Sequence, residues 1–433
     1  MLTDSARVQK PVLGRKHLVL GLDFGTAFTR VVIGDNRVRY AVPFAEFAPA
    51  GNPYLLPSIL DIHYNFCSLS PACEHDCREN LKLPLIEKSY TEDDLLRISA
   101  YLALVFRASR EWLLSRYQDR YGHFSLSWTV NAGIPADIGK SDDNAKLSAI
   151  YKRVIHAAWN ISVLPGPITL NRVRQYMGVD NGAFAAFPAV YRTMLMSRDD
   201  INIFSGCCGQ ICGYVNSPKC DFDLHMLIDV GAGTVNIATF AIEKASDSKS
   251  RNSCLLYACA IEPLGVSNML DRRYDNLKLS DREINLFRDI PDLETFSQKH
   301  GISEKEVRFA DALYRGDVAR LINRVLDETR KHCPDSPAWE GGVPTFVYGG
   351  GARLEIVRSI VHSHENKSPP HRIRAIWLNP PDDLLAEHLP RNAFDRLSMA
   401  YGLSFRPEEI RSALPGSSVP PQAVDHIVHD SMA

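Results

Sequence analysis

Two stretches of this chain share one pattern of apolar and polar positions. Leu18-Val-Leu-Gly-Leu is an apolar run that ends on Asp23, passes through Gly25-Thr26 and resumes in Arg30-Val-Val-Ile-Gly. Met226-Leu-Ile ends on Asp229, passes through Gly231-Ala-Gly233-Thr234 and resumes in Ile237-Ala-Thr-Phe-Ala-Ile. Paired apolar runs around a glycine turn predict a β-hairpin in each place. A further strand is expected at 38–42, and residues 49–90, rich in Pro and Cys, read as irregular.

Thr91-Glu-Asp-Asp94 resembles a capping box and opens a helix to about Gln118, with Leu95, Ile98, Leu102, Phe106, Leu113 and Leu114 near helical spacing. Residues 124–130 read as a buried strand ending at Gly133-Ile-Pro135, and a second helix starts near Ser141 and runs to Trp159. Residues 182–193 read as a small-residue helix interrupted by Pro188, and 207–220 as a glycine- and cysteine-rich connector. A polar segment, 271–305, precedes a helix over about 307–331. Thr345-Phe-Val-Tyr leads into Gly349-Gly350-Gly351-Ala352-Arg353, a strand, a glycine turn and the start of a helix at 356–361. Residues 397–403 close the folded part. From Arg406 on, Pro, Ser and Gly accumulate without periodicity and predict a disordered tail.

Composition narrows the class. The chain has 433 residues, 45% apolar and 23% charged, as a globular protein does, with a net charge of −2. That charge offers no broad basic field, so neither nucleic acid nor an anionic membrane is an expected partner. No apolar run approaches the roughly 20 residues that span a bilayer. The apolar stretch after the basic N-terminus is cut short by Asp23, against a signal peptide, and cytoplasm is the expected compartment.

The chemistry sits at the turns. Glycine lets backbone approach a ligand, and successive turn amides form a nest for anions. An aspartate at the strand end places a carboxylate where a phosphate-bound Mg²⁺ takes oxygen ligands. The ten cysteines read as thiols or metal ligands rather than a disulfide framework. Cys67, Cys73, His75 and Cys77 are a candidate zinc set, although only Cys73 and Cys77 have the spacing of a paired zinc unit. Cys207, Cys208, Cys212 and Cys220 form a second cluster. The histidines His362, His364 and His371 read as a solvated group, and Trp112 and Trp159 as packing.

Three motifs in this order (Asp-x-Gly-Thr, Asp-x-Gly-x-Gly-Thr and strand-Gly-Gly-Gly-Ala-Arg-helix) resemble the superfamily of actin, the sugar kinases and the heat-shock chaperone ATPases. The chain is most similar to the nucleotide-binding domain of the DnaK-like chaperones. Leu56-Pro57-Ser58, Asn80-Leu-Lys82-Leu and Ala400-Tyr401-Gly402 also resemble segments of that domain, so the likeness covers about 17–406. It implies an α/β fold of the actin-like ATPase type, two similar lobes with a nucleotide between them. Lobe I is expected at 17–225 plus 394–406 and lobe II at 226–393, between a flexible stretch at 1–16 and the tail at 407–433. No peptide-binding domain is expected.

The same resemblance implies the site. Asp23, Lys82, Asp180, Asp229 and Thr234 form the catalytic set, with Asp23 and Asp229 holding the water shell of Mg²⁺ and Lys82 reaching the γ-phosphate. ATP or ADP would lie against Gly25, Thr26, Ala27, Gly231, Ala232, Gly233, Thr234, Gly265, Gly349, Gly350 and Gly351, with Arg353 stacked on adenine. Two departures point to slow turnover: Asn236 stands where the family has an aspartate, and Asp180 where it has a glutamate. Positioned bases contribute on the order of 10²–10⁴-fold. The function this implies is a slow, Mg²⁺-dependent ATPase acting as a conformational switch for a protein partner or for self-assembly. An actin-like filament protein is the alternative, and a small-molecule kinase using Asp137 is a third.

Overall fold

A computed structural model describes residues 13–48, 52–70, 76–134, 141–177, 189–217, 220–244, 252–282, 284, 286 and 290–414. The protein is mixed α/β, its sheets flanked by helices. Contacts divide it into two units. The first comprises Met1–Leu20, Ile59–Ser205 and Gly416–Ala433, and the second Gly21–Ser58 and Gly206–Pro415. Both hairpin turns fall in the second unit, whereas the lobe boundary expected at 225/226 would separate them.

In the first unit, β8 (Ser125–Ile134) lies between the start of β1 (Arg15–Phe24) and β9 (Ile201–Ser205), parallel to β9 with Val130 opposite Ile201. The stretch expected to be irregular instead folds into a small antiparallel sheet. β5 (Leu60–His63) pairs there with β6 (Phe66–Leu69) and β7 (Asp76–Arg78). Strands of three or four residues are too short to display a period. The helices are α1 (Leu83–Glu87), α2 (Glu92–Arg116), α3 (Gln118–Tyr121), α4 (Ser141–Val163), α5 (Leu170–Tyr176) and α6 (Ala189–Arg192). Thr91 caps α2 as its sequence predicts: Thr91 Oγ1 accepts from the Asp94 amide at 3.2 Å, and the Thr91 amide donates to Asp94 Oδ2 at 2.8 Å. Trp159 of α4 packs its ring 5.5 Å from both Phe106 and Trp128, and the buried Arg110 guanidinium lies 4.6 Å above it. Most of the helix expected at 182–193 lies outside the described residues.

The second unit holds a mixed five-stranded sheet. β10 (Asp223–Val230) runs antiparallel to β11 (Val235–Glu243), which pairs antiparallel with β12 (Ser253–Glu262). On its other side β10 runs parallel to β13 (Val343–Tyr348), which is parallel to β14 (Ile373–Ile376). Leu224, Met226 and Ile228 alternate along β10 into one apolar cluster with Ile322 and Val325 and with Ile356 and Ile360. Those partners sit on α11 (Ala312–His332) and α13 (Glu355–Glu365). The single helix expected at 307–331 is two, because Asp311 parts α10 (Glu304–Ala310) from α11. Its carboxylate takes a bidentate, buried pair of bonds from Arg273, at 2.9 and 2.7 Å. The polar segment at 271–305 is likewise helical in part, with α8 (Val266–Asn276) and α9 (Leu293–His300), and α12 (Ala338–Gly341) precedes β13.

The remaining strands of this unit run in the order β15 (Leu384–Leu385), β3 (Val38–Ala41), β2 (Phe28–Asp35), β1, with β4 (Leu56–Pro57) antiparallel to β2. Two expectations are corrected here. The connector at 207–220 contains a helix, α7 (Cys208–Val215), buried at every residue and packed on α14 (Ser398–Leu403). The tail expected from 407 begins with another, α15 (Pro407–Ala413). Pro407 takes the first helical turn, the Arg406 amide donates to Glu409 Oε2 at 2.9 Å, and Ile410 is buried. Proline lacks the amide that a helix start leaves unpaired, so it initiates here rather than interrupts.

Candidate functional site

The first hairpin turn is closed by the Gly25 amide, which donates to the Phe28 carbonyl at 3.1 Å. Ser58, just after β4, supports it from behind. The Ser58 amide donates to Ala27 O at 2.8 Å, and its hydroxyl donates to Gly25 O at 2.8 Å and lies 3.1 Å from Thr29 Oγ1. The second turn closes on the same count, with the Gly231 amide donating to Thr234 O at 2.9 Å. Here the support comes from the start of α8. The amides of Gly265, Val266 and Ser267 donate to the carbonyls of Gly233, Gly231 and Ala232, at 3.3, 3.0 and 2.9 Å. Gly265 must be glycine for this contact, since a Cβ there would fall within 2.6 Å of the Gly233 carbonyl carbon and the Thr234 amide. In both turns the carbonyls are tied down from one side. Among the described residues, the amides of Thr26, Ala27, Ala232 and Gly233 meet no backbone acceptor. Paired turn amides with no acceptor are the elements of an anion nest.

The two turns also approach each other. Ala27, Phe28 and Leu55 form a small buried apolar cluster, and Ala232 packs against it. The third motif joins them through Asp229. Gly349 follows β13 with φ +86°, a left-handed conformation glycine adopts freely, and a Cβ there would collide with Asp229 Oδ1.

What faces each aspartate differs. Asp23 is opposite Arg30, whose Nη1 donates to Asp23 Oδ2 at 3.0 Å and to Phe28 O at 3.3 Å; their side chains are 13% and 18% exposed for Arg30 and Asp23. Asp229 is opposite Asn236 in the β10–β11 register. Its Oδ2 accepts instead from Gln210 Nε2 of α7 at 3.0 Å, and Gln210 is buried. Asn236 Oδ1 and Gln210 Oε1 are buried with no hydrogen-bond partner, two acceptors gathered around one carboxylate.

No protein-family model matches the chain, and no curated protein matches it either.

The expected residues are not all brought together. Asp23, Gly25, Thr26, Ala27, Asp229, Gly231, Ala232, Gly233, Thr234, Gly265 and the Gly349–Arg353 segment all belong to the second unit. Lys82 belongs to the first, half-buried at the start of α1. Asp180 lies outside the described residues, as do Asp137, Cys73 and His75. Arg353 gives its fork to the buried Asp395, at 3.1 and 2.8 Å. That leaves its flat face, not its N–H donors, for an aromatic ring.

A pocket of 460 Å³ opens at the carboxyl ends of β13 and β14. Its lining includes Tyr348, Arg353, Arg358, Trp377, Asn379 and Asp395. Ligands of open α/β sheets bind outside the carboxyl ends of their strands. Trp377 is 52% exposed, and burial pushes the Tyr348 hydroxyl far above its ordinary value, so it stays protonated. A larger groove of 610 Å³ lies along α11, lined mainly by charged side chains such as Asp317, Arg320, Glu328 and Lys331, which already pair among themselves.

The metal expectations can be tested against the donors present. For zinc, Cys77 is disulfide-bonded and offers no thiolate, and burial pushes the Cys67 thiol up to about 12, which keeps it protonated. Among the described residues no group of three or more His, Cys, Asp or Glu is placed to hold a metal. For magnesium, the Asp23 carboxylate is already neutralised by a guanidinium. A cation there would meet the attraction of Asp23 and the repulsion of Arg30 together, which roughly cancel, so the paired carboxylate exerts little net pull on it. The donor set at the first hairpin therefore does not fit a magnesium ion.

Arg30, Gln210, Ser58, Asp395 and Trp377 were not among the expected site residues. Only Arg30 carried a usable signal: it stands as far beyond its turn as Asp23 stands before it.

Proposed function

We propose that this protein binds a nucleoside triphosphate between its two hairpin turns and uses the bound nucleotide as a conformational switch read by a protein partner. The observation that carries this reading is the pair of identically closed turns, each with two amides lacking backbone acceptors, packed against each other through Ala27, Phe28 and Ala232. The amides of Thr26, Ala27, Ala232 and Gly233 would hold the phosphates. The pocket beside Arg353 and Trp377 would take the base, stacked on an aromatic face and a guanidinium plane. An actin-like two-lobed ATPase is the architecture this reading implies.

Turnover would be slow. Asn236 supplies an amide where a base would be needed, and Asp23 is occupied by Arg30. Isothermal titration calorimetry with ATP, ADP and GTP is the test. ATP should bind with a Kd on the order of tens of micromolar or tighter. Absence of heat with all three nucleotides at such concentrations would end the reading.

A further inference from the structure

We propose that Arg30 is the site's built-in cation, so that the first hairpin takes a nucleoside triphosphate in its metal-free form. The inference rests on the nucleotide reading above and adds which side chain meets the phosphates.

The geometry has three parts. Arg30 stands across the hairpin from Asp23, and its Nη1 bonds both the Asp23 carboxylate at 3.0 Å and the Phe28 carbonyl at 3.3 Å. The guanidinium lies along the turn itself, since a Cβ at Gly25 would come within 3.2 Å of Arg30 Nη1. Its charge is thus held at Gly25 and Phe28, the two ends of the turn whose Thr26 and Ala27 amides would cradle a phosphate. Finally, Arg30 Nε is buried with no hydrogen-bond partner. A buried donor left unmade is costly, and a charge-assisted bond to a phosphate oxygen would satisfy it.

Asp23 then has a role other than ligating metal. It holds the guanidinium in place in the absence of ligand, as a carboxylate partner does for a buried arginine. Arginine suits the task because it stays charged at any working pH and presents several donors in one plane. At the second hairpin the matching position, Asn236, is neutral, so only one turn carries a cation of its own.

The test is calorimetric titration of the full chain with ATP, once with Mg²⁺ and once with EDTA. The Kd in EDTA should stay within about threefold of that in Mg²⁺, a difference under 1 kcal/mol. Arg30→Gln should weaken binding in EDTA by roughly tenfold or more, the worth of a charge-assisted bond. Arg30→Lys, which keeps the charge and loses the fork, should fall between the two. Binding by the wild type that EDTA abolishes would overturn the inference and leave the nucleotide reading standing. No binding under either condition would instead overturn the reading on which it rests. The wild-type comparison needs no variant to fold, and circular dichroism of both variants shows whether a lost affinity is a lost fold.

Discussion

In the first hairpin, an aspartate faces an arginine across a turn whose carbonyls are held by a serine. In the second, an aspartate faces an asparagine across a turn whose carbonyls are held by a helix start. The backbone closure is the same in both, so the difference lies in the facing side chains and in what supports each turn. At Asp23 the charge is balanced inside the protein. At Asp229 the carboxylate accepts from the Gln210 amide, and two neighbouring amide oxygens, Asn236 Oδ1 and Gln210 Oε1, have no partner. Duplicated backbone with divergent side chains separates two tasks that one motif would otherwise share. One turn keeps a buried donor, Arg30 Nε, for an acceptor brought by a ligand, while the other keeps acceptors in reserve for a donor brought by a ligand or by water.

The strongest way to break this comparison is to neutralise each aspartate in turn. Asp23→Asn leaves a largely buried guanidinium without its counter-charge, which should destabilise the fold by roughly 3 kcal/mol. Asp229→Asn keeps an acceptor for Gln210 and should cost only about 1 kcal/mol. Urea denaturation of the two variants measures the difference. Equal losses would mean that the Arg30–Asp23 pair carries no special weight.

A smaller effect separates the two supports. Gly265→Ala drives a methyl into the backbone of the second turn, and overpacking of this kind costs about 1–3 kcal/mol. Ser58→Ala removes a hydroxyl that bonds Gly25 O and Thr29 and should cost about 1 kcal/mol. Both should weaken ATP binding, Gly265→Ala more. If Ser58→Ala is the more damaging variant in thermal melts, the first turn depends on its serine more than the second depends on its helix.

The elements of these turns were legible in the sequence because they are local. An apolar run, an aspartate, a glycine and a second apolar run occupy one short stretch, and the same holds for Thr91 and Asp94 at the start of α2. What decides the chemistry is not local. Gln210 sits in a stretch whose Cys and Gly content reads as a connector, and only its packing against α14 shows a buried helix. Asp395 reaches Arg353 from 42 positions away and takes up its fork, which no local pattern announces. The short strands β5, β6 and β7 have no period to display, and α15, seven residues long, is hidden in a stretch where Pro, Ser and Gly accumulate.

The smallest expected effect concerns pH, and again it touches one hairpin. His225 lies on β10, the strand that carries Asp229, stacked between Phe240 and Phe346 at 5.5 and 5.7 Å. Its Nδ1 meets Asp223 O at 2.9 Å and its Nε2 meets the Tyr214 hydroxyl at 3.3 Å. Burial between the rings lowers its pKa, against the opposing pull of Asp221 and Asp223 and with a smaller push from Arg374. A histidine whose folded pKa is depressed binds more protons when unfolded. Its contribution to stability is therefore complete above the ordinary value of 6.5 and is lost as pH falls through the folded pKa. His364, also lowered by burial, adds to the same slope from α13, where His371 and Lys367 face it. Acidification below pH 6.5 should thus loosen the five-stranded sheet. Urea midpoints measured on either side of that pH, for the wild type and for His225→Phe, carry the test. The variant should show a shallower loss on acidification, and an unchanged slope would remove His225 from the account of the second hairpin.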